Sequence, residues 1–117
     1  MTVGIARLRF QRISPKKMKP IADLVRGKSV VEARHILLLN SKKRGSRFLE
    51  KALKAALASY REKAGGEALP EEELVVRQAK VDKGPMLKRF RPAWRGRAVM
   101  IRRRLSHITV EVTERRI

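Results

Sequence analysis

At 117 residues, 43% of them apolar, the chain has material for one modest hydrophobic core and not for two. There are 30 Lys plus Arg against 11 Asp plus Glu, a net charge of +19 whose self-repulsion asks for a polyanionic partner, most simply nucleic acid. The lack of cysteine excludes disulfide frameworks and thiolate zinc sites, and no stretch reaches the roughly 20 apolar residues that span a bilayer, so membrane insertion is not expected.

In chain order, the N-terminal MTVGIARLRF lacks the basic-then-apolar run of a secretory signal and alternates like a strand. Ala6, Leu8 and Phe10 take one face and Arg7, Arg9 and Gln11 the other, which places Phe10 on the buried side. Ser14 is a helix N-cap with Pro15 at the first helical position, and Met18, Ile21, Ala22 and Val25 form the buried stripe of a first helix that Gly27 ends. Pro20 predicts a kink or a late start, because its ring removes a backbone donor and crowds the preceding turn. Ser29 and Glu32, at capping-box spacing, open a short second helix with Ala33, Ile36 and Leu37 as its apolar face and a stop near Asn40. In the third helix Leu49, Ala52, Leu53, Ala56, Leu57 and Tyr60 recur at three- and four-residue steps up to Gly65 and Gly66. EALPEEE then reads as an acidic surface loop.

Residues 74–81 and 107–113 are rich in β-branched residues and read as two strands, with Val99, Met100 and Ile101 prolonging the second. Between them lies a segment too long for a tight turn and too basic for a core. Residues 80–104 hold ten basic side chains and one acid, Asp82, so charge is concentrated on a projection. A β-ribbon of this composition can run along phosphate-lined clefts, with guanidinium forks on phosphate oxygens and Pro and Gly shaping the bends. The competing reading is a solvated, disordered loop. Met86, Leu87, Phe90 and Trp94 favour a contact surface; Phe90 and Trp94 either stack on exposed bases or pack on each other across the ribbon. Lys42, Lys43, Arg44 and Arg47 gather where the third helix begins. Cations there oppose the helix dipole, a cost that a phosphate relieves. Arg102, Arg103 and Arg104 form a further basic group, and Ser14 to Lys17, SPKK, adds charge beside a helix start.

No catalytic constellation emerges. His35 and His107 lack a second histidine or carboxylate at ligand or triad spacing, Glu71, Glu72 and Glu73 read as a solubilising patch, and no glycine-rich phosphate loop is present. No cofactor or metal is expected. The rival functions are a DNA-binding module using the ribbon in a groove, a cationic protein on anionic lipid, and a hydrolase built on Ser106 and His107.

ISPKKMKPIADLVRGKSVVEAR, KVDKGPMLKRFRPAWRGRA and RRRLSHITVEV, in that order, resemble the bacterial-type ribosomal protein L twenty-two family of the large subunit, from about Ala6 to Glu114. The resemblance implies an α+β fold, with three helices packed on a small three-stranded antiparallel sheet and a long protruding β-hairpin. It implies one ribosomal protein domain over residues 1–117, with 80–104 as the extended basic arm. The implied function is non-enzymatic: binding ribosomal RNA, stabilising its fold and helping to line the polypeptide exit tunnel through the hairpin tip, near its constriction and the macrolide site. The implied partners are large-subunit ribosomal RNA, neighbouring ribosomal proteins and the nascent polypeptide, with no membrane and no homo-oligomer. The implied location is a ribosome of the bacterial cytoplasm or of an organelle. The RNA-binding residues expected from the charge clusters and the resemblance together are Ser14, Lys16, Lys17 and Lys19; Lys42, Lys43 and Arg44; Lys83, Met86, Leu87, Lys88, Arg89, Phe90, Arg91, Pro92, Trp94, Arg95, Gly96 and Arg97 in the arm; and Arg102, Arg103, Arg104 and His107 beside the last strand. Pro92-Ala93-Trp94 departs from the family's usual Pro-Arg-Ala, Pro20 replaces an aliphatic residue, and Leu105 stands where threonine is usual.

Overall fold

Alternation, helix caps and β-branched runs resolve into six main elements in the computed structural model, which describes residues 2–92, 94–96 and 98–114. They are β1 (Val3–Gln11), α1 (Pro15–Val25), α2 (Val30–Leu39), α3 (Lys43–Ala64), β2 (Leu74–Pro92) and β3 (Ala98–Glu114). Short 3-10 turns at Gly65–Glu67 and Glu71–Glu73 carry the acidic loop. The sheet order is β1-β3-β2, antiparallel throughout, with the three helices packed on one face. This is the α+β arrangement that the resemblance implies.

The caps act as the sequence indicates. Ser14 Oγ accepts from the Lys17 N–H at 3.4 Å and Ser29 Oγ from the Glu32 N–H at 3.2 Å, each serving an orphan donor of a first turn. In place of the late start, α1 begins at Pro15 and runs through Pro20 to Val25. The carbonyl deprived of its partner is that of Lys16, at the exposed side of the helix, while Met18, Ile21, Ala22 and Val25 on the other side are buried. The core joins that stripe to Leu49, Leu53, Leu57 and Tyr60 of α3 and to Leu74, Val76, Ile108, Val110 and Val112 of the sheet.

Two close approaches fix the packing. A Cβ at Gly4 would overlap the Ala56 carbonyl oxygen and lie 2.7 Å from the Tyr60 backbone nitrogen, so β1 crosses α3 at a separation only glycine allows. Tyr60 itself is buried; its hydroxyl donates to Glu114 Oε1 at 3.0 Å and accepts the Leu69 N–H at 3.1 Å. Burial, with the Glu114 carboxylate beside it, pushes the phenol above its ordinary value against the lowering effect of the Leu69 N–H.

β1 accompanies β3 only as far as Gln11 opposite Ser106. Beyond a register shift between Lys83 and Met86, the ladder continues from Met86 opposite Arg104 to Pro92 opposite Ala98 with two strands alone. The strands of 19 and 17 residues therefore extend well past the stretches that β-propensity marks, and the molecule measures 64 × 26 × 17 Å. A two-stranded ribbon without a buried face is marginally stable in water. In the isolated protein the bonded amides of residues 88–91 should thus exchange with solvent at least about a hundredfold faster than those of Ile108, Val110 and Val112. Equal protection by amide exchange would show that the ribbon is held by more than its own ladder.

Candidate nucleic-acid interface

The described side chains of the distal ribbon stand in solvent. Lys83, Lys88, Arg91 and Arg104 are exposed, as is Pro92; Phe90 is 73% exposed and Met86 42%. The ladder ends in a turn at Trp94–Gly96, where Arg95 has φ 59° and Gly96 φ 72°, and Arg95 is exposed. Arg97 lies outside the described residues, and for Leu87, Arg89, Trp94, Arg102 and Arg103 only the backbone is described; all five stand on the ribbon or its turn. Asp82, the one acid of residues 80–104, sits at the root with its carboxylate 3.9 Å from Lys80 Nζ. The distal ribbon is thus basic on an element with no acid of its own, as binding along a polyanion requires.

At the root, Gly84 lies against β3: a Cβ there would stand 3.0 Å from the Leu105 carbonyl oxygen. Ser106 Oγ is buried and donates to the Ile13 carbonyl at 2.5 Å, tying β3 to the approach of α1. That bond occupies the hydroxyl, and His107 Nδ1 accepts the Phe10 N–H at 3.1 Å, so the two do not form the nucleophile and base of a hydrolase.

The other expected contacts divide by role. Lys16, Lys17 and Lys19 are exposed at the start of α1, whereas Ser14 is half-buried and its hydroxyl caps the helix. Lys42 occupies the N-cap of α3 without a side-chain cap, and no acid lies in the first turn. Lys42, Lys43, Arg44 and Arg47 are all exposed around that helix start, whose dipole no acid in its first turn offsets, an arrangement suited to phosphate. Two of these cations also brace the fold. Lys43 Nζ donates to the Leu38 carbonyl at 3.1 Å, and an Arg44 guanidinium nitrogen donates to the Arg12 carbonyl. The acidic loop has a structural task as well: Glu71 pairs with Arg34 at 2.8 Å and Arg61 at 3.1 Å, clamping the loop to α2 and α3. His35 is exposed in a shallow cleft with Val31, Arg34, Leu38, Glu50 and Glu71.

Phe10 is the residue that alternation misplaces. The register of β1 shifts between Leu8 and Gln11, and Phe10 enters the left-handed region at φ 59° instead of continuing the buried face with Ala6. For a bulky residue that conformation costs on the order of 1–3 kcal/mol. The residue is 57% exposed, and its ring meets the His107 imidazole edge-on, centroids 4.9 Å apart at 88°. His107 is thus half-buried on the sheet face away from the helices, since its neighbours Ile108 and Ser106 are buried. Nothing in the sequence period signals this pair, because a bulge adds a residue without changing the apolar count.

Among the described residues no group of His, Cys, Asp and Glu is placed to hold a metal ion, and no helix is long and apolar enough to cross a membrane.

Residues 6–113 match the family described as ribosomal protein L22p/L17e. The chain is 48% identical over 108 residues to a large ribosomal subunit protein uL22 of Christiangramia forsetii, covering 92% of this chain and 79% of that one. It is 46% identical over 107 residues to the protein of the same name in Thermus thermophilus, covering 92% and 91%. With that of Caldicellulosiruptor saccharolyticus it shares 44% over 110 residues, covering 94% and 87%. A basic two-stranded ribbon on a helix-covered three-stranded sheet, and a sequence match that runs through both body and ribbon, have one common source: this chain belongs to the ribosomal protein L22p/L17e family.

Proposed function

We propose that the chain is a non-enzymatic structural constituent of the large ribosomal subunit, in a bacterial-type cytoplasmic ribosome, that binds ribosomal RNA, stabilises its fold and helps to line the polypeptide exit tunnel. The observation that carries this reading is the ribbon itself: paired backbone from Met86 to Pro92 and Ala98 to Arg104, with basic and apolar side chains exposed and none buried among its described residues. Such an element gains stability only when something surrounds it, and folded RNA supplies both the anionic backbone and the flat apolar bases that its side chains suit.

Residues 1–117 act as one domain with 80–104 as its arm. The body contacts RNA through Lys16, Lys17 and Lys19 at the start of α1 and through Lys42, Lys43 and Arg44 at the start of α3. The arm does so through Lys83, Lys88, Arg89, Arg91, Arg95, Arg97 and the Arg102, Arg103 and Arg104 group, while Met86, Leu87, Phe90, Pro92, Trp94 and Gly96 shape the tip that meets RNA and nascent polypeptide. The chain works as a single copy among neighbouring ribosomal proteins.

Two measurements test this. The protein should co-sediment with large subunits after DNase treatment; release by DNase would favour the DNA-binding rival. A photoreactive residue at position 90 should cross-link to nascent chain in stalled ribosomes, and one at Leu39, exposed on α2 of the body, should not. The reverse pattern would remove the tunnel assignment.

A further inference from the structure

Phe10 is held in a conformation that large side chains avoid, and the fold does not bury it in return: φ is 59° and more than half of the residue remains in solvent. Backbone held this way persists where its surroundings over-determine it, and such sites cluster where a protein binds something. Here the surroundings are explicit. His107 Nδ1 accepts the Phe10 N–H at 3.1 Å, the imidazole props the phenyl edge-on, and Gln11 Nε2 donates to the Arg9 carbonyl at 2.7 Å across the same bulge. With Nδ1 accepting, the neutral imidazole carries its proton on Nε2, a donor beside the exposed ring. Arg7 and Arg9 of the same strand are exposed, and neither is within ion-pair distance of a carboxylate among the described residues. An exposed ring held against His107, with two exposed cations on the same strand, fits a base with its phosphates better than an apolar protein surface, which would leave the arginines to be desolvated without partners.

We propose that Phe10, propped by His107, is a stacking platform for an unpaired nucleobase of RNA at the root of the ribbon, with Arg7 and Arg9 on the adjoining phosphates. The proposal rests on the ribosomal RNA reading above and deepens it, placing a base contact on β1, outside both the arm and the helix starts. Stacking asks for a nucleotide out of its helix and not for a particular base, since every base has a π face.

The test uses the full chain and protein-free large-subunit ribosomal RNA in filter binding, with Phe10→Gly, Phe10→Leu and Phe10→Trp. Glycine suits the left-handed backbone, so Phe10→Gly should melt no lower than wild type yet bind RNA about 5- to 150-fold more weakly. Phe10→Leu, apolar but without a flat ring, should lose affinity to a similar degree, and Phe10→Trp should retain it. The dependence of log affinity on log salt should keep its slope in all three, because no phosphate contact is removed. Affinity within twofold of wild type for Phe10→Leu and Phe10→Gly would overturn the platform, as would a slope reduced by about one, which would make the position a phosphate contact. If wild type itself does not bind this RNA, the ribosomal RNA reading falls and the platform with it; if wild type binds and the variants match it, the platform alone falls.

Discussion

Raising monovalent salt from 50 to 200 mM should weaken binding of this protein to large-subunit ribosomal RNA by about 10³- to 10⁵-fold. The figure follows from counting charge. Of the ten basic residues in 80–104, all but Lys80 lie beyond the single acid, and the starts of α1 and α3 add Lys16, Lys17, Lys19, Lys42 and Arg47. If roughly six to ten of these meet phosphates, each releases a condensed counterion, and log affinity falls with log salt at close to that slope. The ion pairs seen among the described residues do little to reduce the supply of cations. The carboxylates engaged among the described residues serve Arg26, Arg34, Lys54, Arg61, Arg77 and Lys80, five of which lie outside the arm. A filter-binding titration that stays flat over this range would remove charge neutralisation as the mechanism.

The largest effect on stability should come from Gly4→Ala. The added Cβ would collide with the Ala56 carbonyl oxygen and meet the Tyr60 backbone at 2.7 Å, and both belong to a helix that cannot yield as a flexible side chain does. β1 must therefore back away from α3, loosening the packing around the buried Ala6 of the strand and the buried Tyr60 of the helix. Overpacking of this kind costs about 1–3 kcal/mol, which for a domain of this size lowers the melting temperature by about 4 to 12 °C. Gly66→Ala is the control: a Cβ there would meet nothing within 4 Å, and the change should stay within about 0.5 kcal/mol. Equal melting temperatures for the two variants, by calorimetry, would contradict the close approach of β1 and α3.

How far these features can be read beforehand differs from element to element. α3 is legible because its apolar residues keep one period over many turns, and every predicted stripe residue from Leu49 to Tyr60 is buried. The starts of α1 and α2 are legible because Ser14 and Ser29 do what capping chemistry requires. The length of the ribbon is not, because a strand exposed on both faces loses the alternation that reports a buried side; Lys88, Phe90, Arg91 and Pro92 are all in solvent. Phe10 fails for the converse reason, since alternation persists in the letters while the bulge turns the backbone. For the candidate interface, the clustering of charge marks the arm, but not that Lys43 and Arg44 also hold carbonyls of Leu38 and Arg12, or that His107 supports a ring 97 residues earlier. Those partners are set by tertiary proximity, which neither spacing nor composition encodes.

The hydroxyl bond from Ser106 to Ile13 and the seat of Gly84 on Leu105 together give the finger a fixed bearing where it leaves the body. A probe mounted at a set angle sweeps a narrow arc instead of a full sphere, so once the body is seated on partly folded RNA the tip has few directions left to explore. Correct threading then becomes a matter of docking the base first, with the mount doing the aiming.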